Sequence, residues 1–293
     1  MSSSLTRTAT IVLAKRDTKK FEEAIGSIPA LENLQILSEG KAFEGNVTST
    51  LTQSDIIEAL SASDIQADVC IQASGNRKKS LLICDMDSTL IGQECIDELA
   101  DFAGVKDRVS AITERAMRGE IGFEGALTER VSHLKKLDIS VLQKCFEERI
   151  TLNEGARTLC QTMKANGAKT VIVSGGFTFF TGRVAEACGF DEHQANTLIE
   201  GGTKLTGTVG MPILGREAKL DAMNTHSAEF GGASNAIAIG DGANDLAMIT
   251  AAGLGIAFFA KPVVAAQAHC AINHTDLTTA LYFQGYREDE FVS

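Results

Sequence analysis

A chain of 293 residues is long for one domain and predicts two. Its apolar share of 44% supplies a full core, and a formal net charge of −11 argues against nucleic acid and anionic membrane surfaces as partners. An anionic substrate would need a locally positive site against that background.

Seven cysteines stand at Cys70, Cys84, Cys95, Cys145, Cys160, Cys188 and Cys270, without a CxxC pair or zinc spacing. They predict reduced, mostly buried thiols and a reducing compartment, most simply the cytoplasm. The N-terminal apolar run is too short for a signal peptide, and none approaches the ~18 residues of a membrane span.

Residues 1–78 read as β-α-β-β-α-β. Residues 8–14 are strand-like, and Phe21, Ile25 and Ile28 fall at helical spacing within 17–28. Residues 34–38 and 42–50 read as strands around Glu39-Gly40-Lys41. Ser54 opens a capped helix through Leu60, with Ile56, Ile57 and Leu60 on one face. Residues 67–73 form the last strand. This order is that of a ferredoxin-like unit, and it resembles the ACT type of small-molecule sensor in order of elements only. A structural or homodimer-forming role stands beside effector binding. The polar stretch 74–79 is the predicted boundary.

The segment LLICDMDSTL, 81–90, reads as a strand buried on both faces that gives way to a polar turn. Ligands of open α/β sheets bind beyond the carboxyl ends of strands. Asp85 and Asp87 would then share a crevice, repelling each other unless a cation or a shared proton intervenes. Two solvated loop aspartates are the plainer alternative.

From Glu94 to about residue 150 the pattern is helical. Ile96, Leu99, Phe102 and Ala103 make one face, closed by Gly104, and Val109, Ile112 and Ala116 make another. Phe123, Leu127, Val131, Leu134 and Leu137 predict a third helix; Leu142, Cys145 and Phe146 predict a fourth. Inserted after the first strand, these helices would cover the crevice.

Asn153 is the predicted cap of a helix running to Asn166. Residues 169–173 form a buried strand ending in Ser174-Gly175-Gly176, with the two glycines opening the next helix. A hydroxyl and free backbone N–H groups there suit an anion, although an ordinary turn has the same composition. Residues 197–210 read as a hairpin, and Lys219 on the following helix would by itself be a surface lysine. AIAIGDGAND, 236–245, is another buried strand, ending in Asp241, Asn244 and Asp245, a set of oxygens suited to a hard cation. No GxxxxGK[ST] loop or dinucleotide fingerprint is present. Residues 251–258 read as the last central strand, and the acidic tail, 287–293, suggests no role.

In order, DMDST at 85–89, Ser174-Gly175, Lys219 and GDGAND at 240–245 resemble the four motifs of the haloacid dehalogenase superfamily, over roughly residues 80–290. In detail they are similar to its phosphoserine-hydrolysing family. Glu94 stands nine residues after the first aspartate, and Arg130, Phe123 and Met117 match the rest of that family's cap. Met86 departs from the Phe of many members, at a position that points away from the chemistry.

The resemblance implies an α/β fold: a Rossmann-like parallel sheet with a helical cap at about 93–150. This core, 79–293, would follow a small ferredoxin-like (ACT-like) α+β domain, 1–78. It implies Mg²⁺-dependent hydrolysis of O-phospho-L-serine, the last step of serine biosynthesis, through an aspartyl-phosphate. Asp85 would be nucleophile, Asp87 general acid and base, and Lys219 the cation beside them. Asp85, Asp241 and the Asp87 carbonyl would hold Mg²⁺, with Asp245 behind them. Ser174, Gly175 and Asn244 would line the phosphate end; Glu94 and Arg130 would read the ammonium and carboxylate, with Met117 and Phe123 excluding water. The charges agree, because a phosphomonoester dianion repels a carboxylate nucleophile unless a divalent cation neutralises both.

Phosphothreonine as substrate, or transfer to an acceptor such as homoserine, uses the same core and stays open. A signalling receiver also gathers aspartates, a hydroxyl and a lysine around Mg²⁺. There the acidic pair closes the first strand and the phosphorylated aspartate comes two strands later; here Ser174 ends the second motif strand and a cap interrupts the fold.

Overall fold

The computed structural model describes residues 6–47 and 50–292. It opens with β1 (Arg7–Leu13), α1 (Thr18–Ser27), β2 (Glu32–Ser38), β3 (Ala42–Val47), α2 (Gln53–Ala62) and β4 (Ala67–Ala73). The strands form an antiparallel sheet ordered β2-β3-β1-β4, the ferredoxin-like arrangement. The predicted 42–50 strand ends at Val47, and residues 48 and 49 lie outside the described residues. Asp17 caps α1 by accepting from Lys20 N–H at 3.0 Å. Thr52, not Ser54, caps α2: it accepts from Asp55 N–H, and the Asp55 carboxylate returns to Thr52 N–H at 2.8 Å. The helix therefore starts earlier than predicted; Ile56 and Leu60 are buried, but Ile57 stands on the exposed face.

The second part begins with β5 (Leu81–Cys84) and the helices α3 (Cys95–Phe102), α4 (Lys106–Met117), α5 (Phe123–Ser132) and α6 (Ser140–Arg149). α5 stops at Ser132, so Leu134 and Leu137 belong to the turn after it and not to a longer helix. Lys136 there takes a left-handed conformation (φ 71°), which an α-helix cannot contain. Then come α7 (Ala156–Ala165), β6 (Lys169–Phe177), α8 (Thr178–Cys188), β7 (Glu192–Asn196), and the hairpin of β8 (Leu198–Gly201) and β9 (Lys204–Val209). The chain closes with α9 (Arg216–Ser227), β10 (Ala236–Gly240), α10 (Leu246–Ala251), β11 (Leu254–Phe258), α11 (Pro262–Ala265), β12 (Cys270–Ile272) and α12 (Thr279–Phe283).

Six strands form a parallel sheet ordered β12-β11-β10-β5-β6-β7, with β5 inside it. Leu81 and Ile83 pack into the apolar layer on one face, Leu82 and Cys84 into the layer on the other. Burying such side chains on both faces, at roughly 2 kcal/mol each, fixes β5 as a central strand. α3 to α6 stand over the carboxyl end as a cap. No helix among the described residues is long and apolar enough to cross a membrane.

Two sequence expectations differ locally. Asn153 does not cap α7: Gly155 precedes that helix in a left-handed conformation, and the Asn153 amide donates instead to the Thr89 carbonyl at 2.8 Å. Gly175 and Gly176 do not open a helix either. They continue β6, which slips register against β7 before α8 begins at Thr178.

The N-terminal sheet is not loosely attached. Val12, Leu37, Ala42 and Cys70 join the same apolar cluster as Tyr282 and Phe283 of α12. Within the stretch 74–79, Arg77 pairs with Glu44 at 2.5 Å and donates to the Phe283 carbonyl at 3.2 Å. The acidic tail, silent in the sequence, straps the two parts together. Glu288 accepts from Arg16 at 2.5 Å and from the Ser38 hydroxyl at 2.7 Å, and Glu290 pairs with Lys78 at 2.8 Å. All seven cysteines are buried free thiols.

Candidate active site

The carboxyl ends of β5, β6 and β10 meet beneath the cap, where they floor a cavity of about 200 Å³. β5 delivers Asp85 and Asp87, β6 delivers Ser174, Gly175 and Gly176, and the turn after β10 delivers Asp241 and Asn244. From the cap, Glu94, Phe123 and Arg130 line the same cavity.

Asp85 is held from two sides. Its Oδ1 accepts from Met86 N–H at 2.7 Å, and its Oδ2 lies 2.7 Å from Lys219 Nζ. Lys219 is only 1% exposed, the reverse of the surface lysine its position alone suggests. It also donates to Asp245 Oδ1 at 2.5 Å, while Asp245 Oδ2 accepts from Gly242 N–H at 3.0 Å. Burial works against the Lys219 charge, but Asp245 and Asp85 outweigh it and hold the ammonium above its ordinary range.

Asp87 accepts from Cys95 N–H at 3.0 Å and, weakly, from the Ser174 hydroxyl at 3.4 Å. Burial, reinforced by Glu94, pushes its carboxyl up to about 7. Gly176 makes room for it, because a Cβ there would run into Asp87 Oδ2. Gly176 N–H also donates to Ser174 Oγ at 2.9 Å, which fixes the hydroxyl at the strand tip. Asp241 accepts from the Thr89 hydroxyl at 3.2 Å, and burial, with Asp85 and Asp245 nearby, pushes it to about 7.

Carboxylate oxygens of Asp85, Asp241 and Asp245 lie within 4.8 Å of one another. Lys219 reaches two of these three acids, Asp85 and Asp245, and such a set suits a hard divalent cation. Both oxygens of Asp245 accept protein donors, from Lys219 and Gly242 N–H, as both oxygens of Asp85 do, from Met86 N–H and Lys219; Asp241 has one such donor, the Thr89 hydroxyl.

From the cap side, Glu94 keeps an exposed edge yet is raised by burial, and it accepts from the Ser88 hydroxyl at 2.6 Å. Ser88 holds a left-handed backbone (φ 56°), a strained conformation in the loop after β5. Arg130 donates through Nε to the Ala126 carbonyl at 3.4 Å; burial lowers its pKa, opposed by Asp97, Glu94 and Asp87. Phe123 lies over Gly175 and Gly215, where a Cβ would stand 3.1 and 3.4 Å from its ring.

One predicted residue is elsewhere. Met117 is 68% exposed at the end of α4, with its sulfur 3.8 Å from Lys261 Nζ, outside the cavity lining. α4 buries Val109 and Ile112, and its last turn leaves Met117 on the rim. Other participants went unread. Ile96, Leu127 and Phe177 also line the cavity, and buried Asn196 donates to the Gly175 carbonyl at 2.9 Å while accepting from Leu214 N–H at 2.7 Å. Ile96 and Leu127 looked like ordinary core positions, and nothing near Asn196 sets it apart.

Comparison with known proteins agrees with this geometry. Residues 82–250 match the family of haloacid dehalogenase-like hydrolases. A phosphoserine phosphatase of Streptomyces coelicolor is 41% identical over 289 residues, 98% of this chain and 69% of that one. One of Archaeoglobus fulgidus is 48% identical over 204 residues, 69% of this chain, and the match spans only 59% of the relative's length. Among solved structures, a HAD family hydrolase of Salmonella enterica superposes with TM-score 0.84 at 30% identity, covering 94% of this chain and 98% of that one. A phosphoserine phosphatase structure described as a phospho-aspartyl intermediate analogue superposes at 0.65 with 40% identity, over 70% of this chain and 99% of that one.

Proposed function

This chain belongs to the phosphoserine phosphatase family of the haloacid dehalogenase-like hydrolases, and from that premise we propose that it hydrolyses O-phospho-L-serine to L-serine and phosphate. One observation carries the substrate: a single cavity is lined by Asp85, Asp87, Asp241 and Ser174 of the core and by Arg130 and Glu94 from the cap side. The core set suits a phosphate with a cation. The cap side offers a guanidinium for a carboxylate and a carboxylate for an ammonium, which together read an amino acid.

We assign the nucleophile to Asp85. Its carboxylate attacks phosphorus, the ester P–O bond breaks, and an aspartyl-phosphate remains. A serine alkoxide is a poor leaving group, so Asp87 gives it a proton as the bond breaks. An Asp87 carboxyl held near 7 keeps a protonated share at neutral pH. Asp87 then takes a proton from the water that attacks the aspartyl-phosphate. Lys219, the Ser174 hydroxyl and the Gly175 N–H hold the phosphoryl oxygens, where charge develops. Asn244 and Asp245 support this end, and Phe123 shuts water out beneath the cap.

Asp85, Asp241 and the Asp87 carbonyl are the proposed ligands of Mg²⁺, which when bound neutralises the carboxylates and the phosphate. We propose the domain division as residues 1–78 and 79–293, with the cap at about 93–150; a solved relative that matches 70% of this chain over 99% of its own length supports it. Seven buried free thiols support a reducing, cytoplasmic setting, where the reaction would end serine biosynthesis. Asp85→Asn tests the core of the proposal. Turnover should vanish while the melting temperature holds, and near-normal turnover would remove Asp85 as nucleophile.

A further inference from the structure

The two segments that carry the cap leave the core side by side. Ile91 and Leu152 form an antiparallel bridge, Gly92 N–H donates to the Thr151 carbonyl at 3.2 Å, and Asn153 N–H donates to the Leu90 carbonyl at 2.9 Å. Gln93 and Thr151 add two side-chain bonds, at 2.8 and 3.0 Å. This short ribbon is the cap's hinge. At its root the Asn153 amide donates to the Thr89 carbonyl at 2.8 Å, and the hydroxyl of the same Thr89 donates to Asp241 at 3.2 Å. Asn153 thus touches both the hinge and the loop that orients Asp241.

The residues after Asn153 are linked to the N-terminal sheet through the loop 273–278. Asp68 on β4 is buried, and its carboxylate accepts from Asn273 N–H at 2.8 Å, His274 N–H at 3.2 Å and the Thr275 hydroxyl at 2.6 Å. Bonds from several donors to one buried carboxylate are strong and fix a loop firmly. That loop holds the residues after Asn153. Leu277 N–H donates to the Glu154 carbonyl at 3.1 Å. Gly155, at φ 81°, lies so close that a Cβ would stand 2.6 Å from Thr278 N.

We infer that Asn153 is a positioning residue, tying the cap hinge to Asp241 through Thr89, and that Asp68 sets its place through residues 273–278. The N-terminal sheet is thereby coupled to the active site. No ion pair or ligand is needed for this coupling; it runs through packed backbone and hydrogen bonds with one geometry.

A double-mutant cycle in the full chain tests it, using Asn153→Ala and Asp68→Asn, read by hydrogen exchange of peptides 88–93 and 150–155 and by kinetics with Mg²⁺. The kinetic part rests on the proposed hydrolysis. Asn153→Ala should speed exchange in both peptides and lower kcat about tenfold with KM little changed, as misplacement of a catalytic group does. Asp68→Asn should speed exchange in the same peptides and lower kcat about threefold. The double variant should match Asn153→Ala within about twofold, because residues acting through one tie are not additive. Unchanged exchange in Asp68→Asn, or losses that multiply to about thirtyfold, would overturn the coupling. If Asp68→Asn does not fold, Thr275→Val removes one donor and is judged alike. If the unmutated chain releases phosphate from no monoester, the hydrolysis itself has failed, and the exchange data alone decide the coupling.

Discussion

The Lys219 ammonium lies 2.7 Å from Asp85 Oδ2, with both side chains almost sealed from solvent. A buried cation so placed does two things: it pairs with the Asp85 carboxylate, and it stands ready to meet charge on a phosphoryl oxygen. Lys219→Met removes the cation and leaves Asp85 and Asp245 buried without it. Breaking such a pair costs about 3–5 kcal/mol, so the melting temperature should fall by many degrees and turnover should disappear. Thermal melts with and without Mg²⁺ check this, and a melt close to that of the unmutated chain would contradict it.

Arg130 should matter for one class of substrate only. Arg130→Ala removes the proposed charged partner of the substrate carboxylate, worth about 1.5–3 kcal/mol, and should raise KM for phosphoserine on the order of tenfold to a hundredfold. An aryl phosphate has no carboxylate and should be little affected. Equal effects on both would take Arg130 out of substrate reading.

Gly176 should be intolerant of any side chain. In Gly176→Ala the new Cβ runs into Asp87 Oδ2 and pushes the proton donor from its place. We expect kcat to fall on the order of a hundredfold, with KM for phosphoserine changed far less. An unchanged kcat would show that Asp87 has room to move or does not carry the proton.

Asp87 and Asp241, each raised from about 3.8 to about 7, make the metal-free fold pH-sensitive. A raised carboxyl binds its proton more tightly when folded. Its stabilising share is complete below pH 3.8 and is lost as pH rises to 7, by at most about 1.4 kcal/mol per pH unit for each group. Asp241→Asn removes one such group. In EDTA its melting temperature should therefore gain on the unmutated chain between pH 5 and pH 8. Saturating Mg²⁺ should shrink that gain, and a difference flat with pH would count against a raised, buried Asp241 carboxyl.

Much of the site was legible because its chemistry sits where strands end. An apolar run giving way to Asp85-Met86-Asp87, and another to Asp241, requires no knowledge of tertiary contacts. Lys219 was legible only by its place among the motifs, since no local signal marks a lysine as buried. Asn196 carries no local signal and Asn153 only that of a helix cap, because each acts on a carbonyl far away in sequence, Gly175 for one and Thr89 for the other. Met117 was read into the cavity by resemblance, whereas the packing of α4 leaves it on the rim.

The fold shows the same division. Strands buried on both faces and the ferredoxin-like order were plain from periodicity. Helix ends were less so: Thr52 outcompeted Ser54 because its hydroxyl and the Asp55 carboxylate satisfy each other's backbone. The strap formed by Glu288 and Glu290 had no signal at all, since its partners Arg16, Ser38 and Lys78 lie more than 200 residues away.

The most direct measurement is phosphate release from O-phospho-L-serine, with Mg²⁺ and with EDTA, beside O-phosphothreonine and p-nitrophenyl phosphate. The account predicts strong release from phosphoserine that EDTA abolishes, with the other two esters poorer. Release from the aryl ester alone, or undiminished release in EDTA, would contradict it.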